Sequence, residues 1–94
     1  MYKVIFDPNV LNYLNSLNIT VKKRIYNKII STKENPYHFF IRLEGRTDFK
    51  LRIGKYRVIA DINDKIKRIE VTLIDLRSKI YKKLDRLKIK KRIR

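Results

Sequence analysis

The sequence predicts an α+β fold: an N-terminal β-strand and a helical hairpin packed on a small, mostly antiparallel sheet, closed by a basic C-terminal helix. Three observations predict it. Phe49, Leu51 and Ile53 alternate with Lys50 and Arg52, and Tyr56, Val58 and Ala60 alternate with Arg57, Ile59 and Asp61, the period of two of strands with one face buried. Two earlier stretches instead carry apolar residues at helical spacing. A third such stripe, Leu76, Ile80, Leu84 and Leu87, begins as the alternation ends. With 94 residues and 44% hydrophobic content, the chain is expected to be a single domain with one modest core.

Taken in order, residues 2 to 6 (Tyr-Lys-Val-Ile-Phe) read as a first strand, being aromatic and β-branched. Asp7-Pro8 reads as a helix start, with a capping acceptor followed by proline at the first helical position. Val10, Leu14 and Leu17 form the stripe of that helix. Asn18 and Thr20 break it, and Val21, Ile25 and Ile29 supply a second stripe, which ends before Asn35-Pro36. Residues 38 to 43 read as a strand or an extended approach to a turn at Glu44-Gly45-Arg46.

The next two strands close on Gly54-Lys55. Glycine at the first of two turn positions suits a type II′ hairpin, because it accepts a positive φ. The hairpin thereby presents Lys50, Arg52 and Arg57 at fixed positions. Asn63-Asp64 turns the chain again, and residues 66 to 75 read as a further strand with Ile69, Val71 and Leu73 on one face. The last helix is expected from near Leu76 to about Ile89, with Arg77 and Tyr81 one turn apart beside its stripe. Past Tyr81 come Lys82, Lys83, Arg86, Lys88, Lys90, Lys91, Arg92 and Arg94 against Asp85 alone, which reads as the fraying end of a basic C-terminal helix and tail over residues 76–94.

Composition narrows function. Twenty-five Lys and Arg against nine Asp and Glu leave a net charge of +16. That balance favours polyanions: nucleic acid first, an acidic protein second, an anionic membrane surface third. The membrane is disfavoured because the tail lacks aromatic anchors. No cysteine and one histidine remove disulfides, thiolate chemistry, the usual metal sites and Ser-His-Asp machinery, so no cofactor or metal is called for. No apolar run has the length of a signal peptide or a membrane span, and a cytoplasmic location is expected.

Four features in this order resemble the RelE/ParE superfamily of toxin–antitoxin toxins: Asn35-Pro36 after the second helix, Leu43-Glu44-Gly45 before the meander, Leu51-Arg52-Ile53-Gly54-Lys55-Tyr56-Arg57 as the signature hairpin, and Arg77-x-x-x-Tyr81 at the close. The resemblance covers about residues 2 to 84. It implies two N-terminal helices on a small sheet and, for the RelE branch, endonucleolytic cleavage of mRNA, usually on the ribosome. It also implies an acidic cognate antitoxin that wraps the toxin, forming a heterocomplex with a heterotetramer as one form. The ParE branch, which poisons DNA gyrase, shares the fold but generally lacks the basic and aromatic set.

Metal-free RNA cleavage needs a base for the 2′-hydroxyl, cations for the phosphorane and an acid for the 5′-oxygen. Carried over by the resemblance, the candidate catalytic residues are Lys50, Arg52, Arg57, Arg77 and Tyr81. Guanidinium suits phosphate because its planar fork is bidentate and stays charged. Crowded cations favour a neutral lysine, which makes Lys50 a candidate base. Arg52 stands where the best-known RelE pattern has a second lysine, and it can only stabilise charge, so the identity of the base stays open. Arg46, Lys55, Lys79, Lys82 and Lys83 are candidate RNA contacts. Without the resemblance, Lys50 and Arg52 read as a solvated face, Tyr81 as a core-rim aromatic, Arg57 as a partner of Asp61 or Asp75, and His38 as structural or solvated. The rival functions are a ParE-like gyrase inhibitor and a non-catalytic basic RNA-binding module.

Overall fold

In a computed structural model, which describes the backbone of residues 1–93 and the side chains of residues 1–86, five strands form one sheet in the order β1-β5-β4-β3-β2. The tail cations Lys88, Lys90, Lys91, Arg92 and Arg94, and Leu87 of the last apolar stripe, lie outside the described side chains. Among the described residues no helix is long and apolar enough to cross a membrane.

Strand β1 (Lys3–Phe6) leads into α1 (Pro8–Asn15). Proline stands at the helix start as expected, but the Asp7 side chain makes no capping bond there. Its backbone N–H donates instead to Val71 O at 2.9 Å, tying the β1–α1 junction to the sheet. Asn18 does cap α2 (Ile19–Ser31), accepting from the Thr20 N–H at 2.9 Å. Val10 and Leu14 of α1, with Ile25 and Ile29 of α2, are buried against Leu51, Val58, Ala60, Ile69, Val71 and Ile74 of the sheet. The helical hairpin thus covers one face.

A single 3₁₀ turn (Thr32–Glu34) is followed by a feature absent from the sequence reading: a one-turn helix α3 (Pro36–Phe39), where an extended segment was expected from residue 38. Proline presets the first helical φ, and buried Pro36 and Phe40 anchor the turn at both ends. Strand β2 (Ile41–Arg42) is correspondingly short. Strands β3 (Phe49–Ile53) and β4 (Tyr56–Asn63) form the expected hairpin, paired Leu51 to Val58 and Arg52 to Arg57. Gly54 has φ +56° and Lys55 does not share the positive sign, which is the type II′ pattern.

Strand β5 (Arg68–Leu76) starts two residues later than read, because Asn63 accepts from the Lys65 and Ile66 N–H groups and holds a wider turn. It pairs antiparallel with β4 and parallel with β1, so the sheet is mixed at this edge. Helix α4 (Arg77–Ile93) lies on the face opposite α1 and α2. There Ile80 and Leu84 pack with Leu43, Ile59 and Leu73 in a second, smaller cluster.

Candidate active site

Pleating sorts the residues of β3: Leu51 and Ile53 enter the core beneath α1 and α2, so Lys50 and Arg52 project from the other face. The register sets Arg57 of β4 directly opposite Arg52. Two guanidinium groups at such a pair repel. Arg57 is nevertheless only 6% exposed, and its Nη1 donates to Gly54 O and Tyr56 O, both at 2.8 Å. Carbonyls of the hairpin turn thus hold one end of the guanidinium against the sheet.

Helix α4 supplies the other wall. With Ile80 fully buried over β4 and β5, the next residue, Tyr81, lies about 100° further round the helix and reaches β3. The Lys50 ammonium donates to the Tyr81 hydroxyl at 3.2 Å and sits 5.7 Å from the ring centroid. Arg77 is one turn earlier on α4, and its backbone N–H donates to Lys55 O at 2.8 Å, fixing the start of the helix on the hairpin turn. Lys50, Arg52, Arg57, Arg77 and Tyr81 line one open cleft of about 480 Å³. No carboxylate among the described residues lines it.

The acid closest in register is occupied elsewhere. Asp75 stands opposite Arg57 on β5, but its carboxylate accepts from Lys83 at 2.7 Å, the Tyr13 hydroxyl at 3.2 Å and the Leu76 N–H at 2.7 Å. Burial pushes its pKa up, yet the Lys83 and Leu76 hydrogen bonds, the Lys83 charge and Tyr13 together hold it below the usual carboxylate range. Burial and the charge of Asp75 push the Tyr13 phenol up to about 12.

No protein-family model matches the chain, and no curated protein sequence matches it. Solved structures do. A chain of the archaeal RelE–RelB complex from Pyrococcus horikoshii OT3 is 29% identical, with a TM-score of 0.71 over 81% of this chain and 94% of that one. The RelBE2 toxin–antitoxin complex of Mycobacterium tuberculosis contributes a match at 22% identity and TM-score 0.71, covering 81% of this chain and 98% of its own. The isolated E. coli RelE toxin matches at 21% identity and TM-score 0.66 over 92% and 97%. The chain has the RelE fold. At the level of structure, the resemblance read from the sequence is borne out.

On this RelE fold the five proposed RNA contacts fall in different places. Arg46 makes a two-point ion pair with Asp48, Nε to Oδ1 and Nη2 to Oδ2, both at 2.8 Å, and so braces the loop before β3. Lys83 is half-buried on Asp75. Each thus meets a carboxylate with which the sequence reading did not pair it: Asp48, two residues on from Arg46, and Asp75, eight residues before Lys83. Lys55 is exposed at the hairpin turn, its ammonium 5.9 Å from the Tyr56 ring. Lys79 and Lys82 are exposed on α4 and do not line the cleft.

The cleft is also lined by Lys28 of α2, Phe39 of α3 and Ile41 of β2, none of them a candidate from the sequence, and by His38 of α3, which reads from the sequence as structural or solvated. The Lys28 ammonium lies 4.6 Å from the Phe39 centroid, and the His38 ring meets Phe39 edge-on at 4.8 Å. No local pattern announces this grouping. It depends on the α3 turn, and four residues are too few for a periodic signal.

Proposed function

We propose that the chain is the toxin of a toxin–antitoxin pair: a metal-independent endoribonuclease that cleaves mRNA, acts on the ribosome, and is held silent by an acidic cognate antitoxin. The solved chains that share its fold include RelE toxins taken from RelE–RelB complexes, which supports the toxin–antitoxin reading. The observation that carries the chemistry is the Lys50–Tyr81 contact, set beside three guanidinium groups in a cleft free of lining carboxylates.

Such a cleft suits an RNA phosphodiester. Arg52, Arg57 and Arg77 meet the non-bridging oxygens and stabilise the extra negative charge of the phosphorane, and fixed donors do so without reorganisation at the moment of reaction. Arg57, braced by two carbonyls, is pre-oriented for this role. Lys50 and Tyr81 act as a unit, the phenol fixing the ammonium and offering its ring to a base. Attack by the 2′-oxygen leaves a 2′,3′-cyclic phosphate and a 5′-hydroxyl. Adding the purified protein to a translation extract and mapping mRNA ends tests the proposal. Cuts within codons that carry those termini support it, whereas intact mRNA with inhibited gyrase supports the ParE-like rival. The antitoxin part predicts toxicity on expression, relieved by a small acidic chain from the adjacent reading frame.

A further inference from the structure

His38 is the chain's one histidine, and it lines the same cleft as the cationic set. Its placement is firm for a residue in a connection. Buried Pro36 and Phe40 anchor α3, the Phe40 N–H donates to Pro36 O at 2.8 Å, and Lys28 holds the Phe39 ring on which the imidazole rests. The register places it further. Strand β2 pairs only with Phe49 and Lys50, so the outer edge of β3 beside Leu51 and Arg52 lacks a strand, and α3 precedes β2 at that edge. Helix α4 packs over β4 and β5 on the opposite flank. The Lys50–Arg52 row therefore lies between Tyr81 on one side and His38 on the other.

A phosphodiester bound on that row has a group on each flank. In-line displacement needs a base and an acid on opposite sides of phosphorus. The charged and phenolic side chains that line the cleft with the imidazole are Lys28 from α2, Lys50 and Arg52 from β3, Arg57 from β4, and Arg77 and Tyr81 from α4. Among these side chains the imidazole is the one that carries a proton-donating and a proton-accepting nitrogen in a single ring, the chemistry of a general base that is then restored by solvent.

We propose that His38 is the general base of this cleft, a role that rests on the endoribonuclease reading above. A ring nitrogen of His38 takes the 2′-hydroxyl proton as the 2′-oxygen bonds to phosphorus. The bond from phosphorus to the 5′-oxygen breaks, and that oxygen leaves with a proton from the Lys50 ammonium. Solvent then returns the proton to Lys50 and removes the one on His38.

The test compares wild type, His38→Ala and His38→Gln on ribosomes programmed with a defined mRNA from pH 5 to 9, with affinity measured on the same ribosomes carrying an mRNA 2′-deoxy at the cut site and folding checked by thermal unfolding. The expected result is a fall of about 10²- to 10⁴-fold in kcat with affinity nearly unchanged. The acid limb of the rate profile disappears, and added imidazole recovers part of the rate in His38→Ala. Wild-type cleavage by both variants, a loss confined to affinity, a slowed reaction that keeps the wild-type acid limb, or a slowed His38→Ala that imidazole does not rescue would each overturn the role. Failure of the wild-type protein to cut RNA at all is a different result, which removes the endoribonuclease reading and this role with it.

Discussion

Lys50 and Tyr81, 31 residues apart in the chain, meet ammonium to phenol oxygen at 3.2 Å. The contact joins the signature hairpin to the last helix and defines where the two walls of the cleft come together.

Removing that oxygen is the mildest intervention. Tyr81→Phe keeps the ring, which is 44% exposed, and should leave thermal stability within about 0.5 kcal/mol of wild type. RNA cleavage should fall by about 10²-fold or more, because the Lys50 ammonium loses its orienting partner. Single-turnover cleavage alongside thermal unfolding measures both.

Arg57 braces the hairpin turn, and the proposed mechanism gives it a second, catalytic role; substitution separates the two. Arg57→Ala should abolish cleavage and also cost about 1–3 kcal/mol, since the Gly54 and Tyr56 carbonyls lose a buried charged donor. Arg57→Lys keeps the charge but loses the fork, and should fold better than the alanine variant while cleaving at least tenfold more slowly than wild type. Urea unfolding and initial rates distinguish the two effects.

The second apolar cluster holds α4, and with it Tyr81, on the sheet. Ile80→Ala should cost about 2–4 kcal/mol, because Ile80 is fully buried among Leu43, Ile59, Leu73 and Leu84. Cleavage should fall as well, although Ile80 is not among the residues lining the cleft. Denaturant melts read the first effect and initial rates the second.

The Asp75 knot sets the pH limits of stability. The folded-state pKa of Asp75 is lowered, so its contribution is complete above the unfolded value near 4 and is lost as pH falls through the folded value. The Tyr13 pKa is raised to about 12, so its contribution is complete below the unfolded value near 10 and is lost as pH rises from there through about 12. Asp75→Asn should flatten the acid side of the stability profile and Tyr13→Phe should flatten the alkaline side. Thermal unfolding across the range checks both.

Much of this was legible from the chain. The β3–β4 hairpin could be read because alternation is local and Gly54 marks the turn that needs a positive φ. The three apolar stripes gave α1, α2 and α4 for the same reason. The α3 turn was not legible, since its determinants are one proline and the burial of Phe40 after folding. The ion pairs Arg46–Asp48 and Lys83–Asp75 were missed too, and with them the fact that two of the five proposed RNA contacts are occupied internally. A count of cations reports the charge of a surface and says nothing of which side chains meet a carboxylate. The alternative that Arg57 pairs with Asp75 fails for a tertiary reason: Lys83, eight residues further on, takes that carboxylate.

The central claim is that this cleft cuts RNA. Its most direct measurement is end mapping of a reporter mRNA in a translation extract supplied with wild-type or Tyr81→Phe protein. The account predicts new 5′-hydroxyl ends within codons for wild type and at least about a hundredfold fewer for the variant. Intact mRNA with the wild-type protein, or the same cuts at the same rate from both, would contradict it.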